Sequence, residues 1–197
     1  HGTITVVLDN TVMEITTLRR DIKTDGRHAI VEYTDSWYED SLRRDFTFNA
    51  LYMDKDMNVY DYHNGIQDLH DKKIKFIGDP KTRIQEDYIR ILRYYRFLSR
   101  YAKDFYDEKT EQIMKEMLDG ISIVSGERIF QEMIKLFASD NIYYCSNRVM
   151  WLMDKLFGIN KNCFFNSALE NMFDFLTAEE RFATLVAYNG EDALNNV

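Results

Sequence analysis

Asp87 and Arg90 stand three residues apart in a stretch with helical periodicity running from about Lys81 to Tyr101. That spacing predicts two side chains on one helix face. A carboxylate that accepts, beside a guanidinium that donates, complements an amine donor beside a ring-nitrogen acceptor. Adenine and cytosine both present that combination on their Watson–Crick edges. Uracil and guanine present a carbonyl beside an N–H, the reverse polarity, and each unmatched buried group costs ~1–3 kcal/mol. Such a pair would accept C and A and reject U and G with no template strand. Glu86 is placed to orient Arg90 or Arg83. Taken alone, an Asp/Arg pair at this spacing is more often an ordinary intrahelical salt bridge.

Some forty residues upstream lies Arg43-Arg44-Asp45-Phe46-Thr47-Phe48-Asn49-Ala50-Leu51. Two guanidiniums can hold triphosphate oxygens, and a carboxylate can accept from ribose hydroxyls. Asn49 follows Asp45 by one helical turn. The plainer alternative is a charged helix start, with Asp45 favoured by the helix dipole. Glu14 sits mid-strand among Val, Met, Ile and Thr. Facing inward, it would need a basic residue or a metal ion as partner. Facing outward, it would be an ordinary exposed glutamate, and alternation alone does not choose.

The elements that must position these groups follow from the pattern. Residues 3–8 and 12–18 are rich in β-branched types and flank Asp9-Asn10, which predicts a β-hairpin. Val12, Glu14 and Thr16 share one face of its second strand, and Met13, Ile15 and Thr17 the other. Arg19 to Arg27 is polar and reads as an exposed loop with a turn at Asp25-Gly26, followed by a short strand over Ala29–Tyr33. A helix is expected around Phe46–Leu51, a return strand at Val59-Tyr60, a short helix after Gly65, and a strand over Ile74–Ile77. Beyond Gly78-Asp79-Pro80 the periodicity is helical, with helices expected over about 81–101, 107–119, 126–138, 141–156 and 166–176 and another from 178. Ile84, Tyr88, Ile91, Leu92, Tyr95 and Leu98 form the core stripe of the first. A domain boundary is expected near 78–80.

The 197 residues suffice for one or two domains, and a single proline and eight glycines leave little room for long linkers. The net charge of -8 argues against general coating of nucleic acid and leaves room for a local basic groove. The helix from 81 carries such an excess, with Arg83, Arg90, Arg93, Arg96 and Arg100, although a solvated face with tyrosines in the core explains most of it as well. Cys145 and Cys163 lack metal-ligand spacing and read as reduced packing residues, so a reducing cytoplasm is the expected compartment. No apolar run approaches the ~20 residues that span a bilayer, and no membrane association is expected.

As a set, these segments resemble the class II tRNA nucleotidyltransferases (CCA-adding enzymes) and the related bacterial poly(A) polymerases. Arg43–Leu51 resembles their RRDFTxNA motif. Asp61-Tyr62-His63-Asn64-Gly65-Ile66-Gln67-Asp68-Leu69 resembles their D-x3-G-x2-D-L element, and Gly78-Asp79-Pro80 through Glu86-Asp87-Tyr88-Ile89-Arg90-Ile91-Leu92-Arg93 their base-reading element. Ser125-Gly126-Glu127-Arg128-Ile129 resembles the opening of a neck helix. Glu14–Arg19 is similar to the strand with a third acidic residue, and Asp25-Gly26-Arg27-His28 to the flexible loop after it. The match runs in order from residue 1 to about 140.

The resemblance implies an α+β fold: part of a polymerase-β-type head with a small mixed or antiparallel sheet over 1–78, a helical neck over 79–140, and the start of a helical body over 141–197. It implies completion of the tRNA 3′ CCA end from CTP and ATP with Mg2+. Carried over, Asp87 and Arg90 would read the base, with Glu86 and Arg27 helping to position it. Arg43, Arg44, Asp45, Asn49 and Arg93 would hold the nucleotide, and Glu14 would assist the metal. The Gly-Gly turn and Asp-x-Asp pair that hold the metals in the family would lie before His1. One Glu cannot hold two metals. The isolated chain is therefore expected to be inactive, with a companion polypeptide or further segment supplying the pair. An RNA adenylyltransferase of poly(A) polymerase type and a non-catalytic RNA-binding remnant are the competing expectations.

Overall fold

The computed structural model describes residues 2–24, 29–101, 107–139, 146–158 and 176–184. The loop with Arg27, both cysteines and all but the last residue of the helix expected over 166–176 fall outside them. The chain divides into two compact units, one of residues 1–71 and 75–87, the other of 72–74 and 88–197.

The first unit holds three antiparallel two-stranded ribbons. Strands β1 (Thr3–Leu8) and β2 (Thr11–Thr16) form the expected hairpin, Ile4 opposite Ile15 and Thr5 opposite Glu14. Asp9 and Asn10 turn the chain at φ 45° and 66°. Both φ values are positive, as the tight hairpin turn whose twist matches its strands requires. One face gathers Ile4, Val6, Leu8, Met13 and Ile15, and all but Val6 are more than two-fifths exposed.

The polar run after Arg19 corrects the expectation of a loop. It forms strand β3 (Arg19–Thr24), paired with β4 (Ala29–Tyr33). Arg20 faces Glu32 across the ribbon in a 2.6 Å ion pair. Opposite charges on facing strands can replace apolar alternation where neither face is buried. Ribbon β5 (Leu51–Met53) and β6 (Val59–Asp61) completes the set.

The helix expected around 46–51 is displaced toward the N-terminus. Helix α1 spans Trp37–Leu42, with Ser36 as N-cap accepting from the Glu39 N–H. Phe46 is extended instead and bridges Phe76, and only Thr47–Ala50 make a single 3-10 turn. Phe46 and Ala50 are fully buried, so this segment is core strand and turn. The strand expected over Ile74–Ile77 is reduced to that bridge and to Thr47 and Ile77 N–H groups donating to Lys75 and Asp45 carbonyls at 3.0 Å.

Helix α2 (Gly65–His70) packs against this segment. A Cβ on Gly65 would stand 2.3 Å from the Thr47 carbonyl oxygen, so only glycine allows the approach. Buried Asp68 accepts from Thr47 Oγ1 at 2.9 Å and pairs with Lys75 at 3.2 Å. Asp61 accepts from the N–H groups of His63, Gly65 and Ile66. In the D-x3-G-x2-D-L element, Asp61 thus holds the Gly65 N–H, and Gly65 and Asp68 both meet the RRDFT segment at Thr47.

The single long helix expected over 81–101 is two. Helix α3 (Pro80–Glu86) starts from Asp79, whose carboxylate accepts from the Thr82 N–H, and ends at Asp87 in extended conformation (φ -161°, ψ 105°). Helix α4 (Ile89–Tyr101) opens the second unit's bundle. Tyr88 lies in the break, and its ring occupies the space a Cβ on Gly120 would need, 1.9 Å from its nearest atom. Apolar periodicity continues through the interruption, which is why the pattern reads as one helix. In the second unit, α5 (Glu108–Met117), α6 (Gly126–Phe137) and α7 (Ser146–Phe157) bring Met114, Met133, Leu136, Phe137, Met150 and Met153 into the core. Tyr94 and Tyr95 of α4 are buried there too, which fits core tyrosines.

Candidate functional site

The centre of the first unit's charged cluster is Asp40, a residue the sequence reading passed over. Its side chain is 0% exposed. One carboxylate oxygen accepts from Arg43 Nε and Nη2 at 2.9 and 2.6 Å and from the Arg19 N–H at 3.2 Å. The other accepts from Arg44 Nε and Nη2 at 3.2 and 3.1 Å and from the Tyr52 hydroxyl at 2.7 Å. Burial pushes the Asp40 carboxyl up, but the Tyr52 and Arg43 hydrogen bonds, the Arg19 N–H and the Arg43 charge outweigh it and hold it below its ordinary value. Asp40 precedes Arg43 and Arg44 by three and four residues, the spacing of helix-face ion pairs. That signal was legible in the sequence.

Arg44 is the more exposed of the two arginines, its side chain 37% accessible. Its guanidinium lies over the Tyr52 ring at 5.1 Å and also donates to the Tyr52 hydroxyl and the Asn49 carbonyl. Burial lowers its affinity for the proton, and Tyr52 and Asp40 more than restore it, so the charge is secure. Tyr52 stacks on Trp37 with ring centroids 5.6 Å apart, and burial, then its bond to Asp40, pushes its hydroxyl up to about 12. Asp45, 7% exposed, accepts from its neighbour's N–H and from Asn49 Nδ2 at 3.0 Å. Asp45 and Asn49 therefore meet as the spacing suggested, through a turn instead of a helix. Asp45 does not open a helix.

Arg83, expected as a partner for Glu86 and as one cation of the local basic excess, does more. Nearly buried, it sends Nη2 to the carbonyl oxygens of both Arg43 and Arg44, at 2.7 and 2.6 Å, and Nη1 to Glu86 at 2.5 Å. Backbone carbonyls some forty residues away leave no trace in a sequence pattern.

The remaining expected site residues lie on several different elements. The helix break at Asp87 removes the shared helix face that was to pair Asp87 with Arg90. Asp87 caps α3 in the first unit, while Arg90 lies in the first turn of α4 in the second. Arg93 pairs with buried Glu132 of α6 at 3.7 Å, and Arg96 joins it at 3.1 Å. Glu14 is exposed, opposite Thr5. Among the described residues no group of three or more His, Cys, Asp or Glu side chains is arranged to hold a metal ion. Glu14 supplies a single carboxylate, so the described residues do not fit a divalent metal site. Among the described residues no helix is long and apolar enough to cross a membrane.

Residues 1–75 match the family described as poly(A) polymerase head domain, and residues 106–148 the one described as a probable RNA- and SrmB-binding site of polymerase A. The mitochondrial CCA tRNA nucleotidyltransferases 1 of Mus musculus and Homo sapiens are each 46% identical over 144 residues, 72% of this chain and 33% of theirs. A crystal structure of the Bacillus stearothermophilus CCA-adding enzyme in complex with CTP is similar at a TM-score of 0.65 and 31% identity, over 79% of this chain and 36% of that one. The chain belongs to the class II nucleotidyltransferase family of CCA-adding enzymes and poly(A) polymerases. It spans about a third of the length of the curated relatives it matches.

Proposed function

We propose that this chain is the nucleotide-selecting part of a template-independent tRNA nucleotidyltransferase that adds C and A to the tRNA 3′ end. The observation that carries the reading is one connected cluster in the first unit. It runs from Arg43 and Arg44, anchored on Asp40, through Asp45 and Asn49, and by way of Arg83 to Glu86, the residue before Asp87. Arg44, charged and partly accessible, suits a triphosphate. Arg43 is more covered and acts with it through Asp40. Asp45 and Asn49 suit the ribose hydroxyls. Asp87 offers the acceptor for an exocyclic amine and Arg90 the donor for the ring nitrogen. Arg93 and Glu86 take supporting parts, and Arg27 with its loop belongs to the same proposal.

In-line attack on a nucleoside triphosphate relies on two metal ions held by carboxylates. Glu14 alone does not hold them, so no chemical step is assigned to this chain by itself. Magnesium and the carboxylates that bind it would come with a further segment or a companion polypeptide. The division into head, neck and body at 78 and 140, and a reducing cytoplasmic setting, complete the proposal.

The test is incorporation of labelled CMP and AMP into tRNA lacking its CCA end. The isolated chain is expected to give none, and incorporation should appear when a segment with a Gly-Gly turn and an Asp-x-Asp pair is supplied. Robust CMP incorporation by the chain alone would overturn the inactivity. The match to poly(A) polymerase descriptions favours a second reading, an RNA adenylyltransferase. Comparable affinity for CTP and ATP supports the first reading, and negligible CTP affinity the second.

A further inference from the structure

We infer that Arg83 is a positioning residue that sets the distance between the nucleotide's two recognition points, and that base selectivity depends on it. The inference rests on the reading above. Three facts on one side chain carry it. Arg83 lies in α3, four residues before Asp87, the residue that ends the helix and closes it by donating its N–H to Ile84. Its Nη2 donates to the Arg43 and Arg44 carbonyl oxygens at 2.7 and 2.6 Å, gripping the backbone from which the two phosphate-holding side chains spring. Its Nη1 is drawn to Glu86 at 2.5 Å, next to the proposed base reader.

A guanidinium is the one side chain that can do this. It is planar and offers five donors in a fixed fork, so two carbonyls and a carboxylate can be held at once and at a set separation. Lysine would bring the charge without the fork. The arrangement links two segments some forty residues apart with charge-assisted bonds in a nearly buried place, where such bonds are strong and resist water. Discrimination between cytosine and uracil turns on whether the acceptor of Asp87 meets the exocyclic position while the triphosphate is held by Arg44. A rigid link between those points makes the edge readable. A loose one would let the nucleotide slide until either edge fits. Positioning errors of this kind fall on selectivity before they fall on binding.

The experiment measures CTP, ATP, UTP and GTP binding to the 197-residue chain by titration calorimetry, with circular dichroism confirming equal folded fractions. Wild type is expected to prefer CTP and ATP. Arg83→Lys should lower CTP affinity about tenfold and bring the CTP-to-UTP ratio toward one. Arg44→Ala should weaken all four nucleotides alike and keep the ratio. Glu86→Gln keeps an acceptor for Arg83 and should reduce the ratio less than Arg83→Lys. It carries the test if Arg83→Lys does not fold. An unchanged CTP-to-UTP ratio in the folded variant overturns the inference alone, whatever happens to affinity, because a merely structural arginine would reduce binding-competent protein and leave selectivity intact. A wild-type chain with no preference for CTP and ATP overturns the function reading, and the inference with it.

Discussion

Within the first unit, the cluster around Asp40 and the hairpin of β1 and β2 follow opposite plans. Around Asp40, a fully covered carboxylate receives two guanidiniums, a phenol and a backbone N–H. The chain satisfies its own charges there with its own residues. In the hairpin, Ile4, Leu8 and Ile15 share a face and are 62, 60 and 55% exposed. Apolar alternation has made a face with nothing of the described chain laid over most of it. Regular backbone pairing is enough to form a ribbon, but two strands bury too little surface to be stable by themselves. The cluster around Asp40 is therefore stabilised locally, and the hairpin is not.

The largest expected effect tests the self-contained half. Asp40→Asn keeps the shape and removes the only charge that both Arg43 and Arg44 share in the contacts described above. Breaking a buried ion pair by removing one partner leaves the other uncompensated and costs roughly 3 kcal/mol. Urea denaturation should show that loss at neutral pH. Sign and window follow from the lowered Asp40 pKa. A carboxyl whose folded value lies below its unfolded value of about 3.9 contributes stability above that pH and loses it as pH falls through the folded value. The variant should thus approach wild type in stability below about pH 4. A constant gap at all acid pH values would mean that the charge of Asp40 is not what stabilises the cluster.

Much of this contrast was legible in the sequence, and the reasons for the rest are local. The hairpin was readable because β-branched residues flank a turn dipeptide, Asp9-Asn10, that tolerates positive φ. Helix α2 was readable from Gly65, and the second unit's helices from their period. Strand β3 was not, since its sequence carries no apolar alternation and its charged Arg20 pairs across the ribbon with Glu32. The break at Asp87 was hidden because Ile84, Tyr88 and Ile91 keep helical spacing across it, and the fit of Tyr88 against Gly120, some thirty residues on, leaves no mark in that spacing. Asp45 and Asn49 were found by spacing, and they meet by a different backbone path. Asp40 had a visible signal in its spacing from the two arginines. Arg83 had none, because its partners are main-chain oxygens far along the chain.

A smaller effect is expected at Tyr52, which seals the cluster from one side. Its pKa, pushed up to about 12 from an ordinary 10, means the fold prefers the neutral phenol. A group whose folded value is raised contributes stability below its unfolded pKa, and loses it as pH rises through the folded one. Alkaline destabilisation from this residue should therefore develop between pH 10 and about 12. Tyr52→Phe removes a hydrogen bond to Asp40 worth about 1 kcal/mol at neutral pH, and should flatten the alkaline arm of the stability curve. Absorbance at 295 nm during alkaline titration would check the phenol directly. Ionisation of all tyrosines together near pH 10 would show that Tyr52 is not sealed in.

The smallest effect belongs to the open half. Ile4→Thr and Ile15→Thr each alter a side chain that is more than half exposed, and threonine keeps the β-branching that suits a strand. Each should move stability by no more than about 0.5 kcal/mol, the range of surface substitutions remote from special features. The measurement is the urea midpoint at two protein concentrations a hundredfold apart. A loss of several kcal/mol at both concentrations would mean that the apolar face is covered by residues of the same chain, and the contrast with the Asp40 cluster would fail. A loss seen only at high concentration would mean that the face is buried between copies of the chain, since stability linked to association varies with protein concentration. A small, concentration-independent shift keeps the contrast intact: substitution at an exposed apolar face removes few contacts because few exist, whereas removing one oxygen's charge at Asp40 disturbs every group that converges on it.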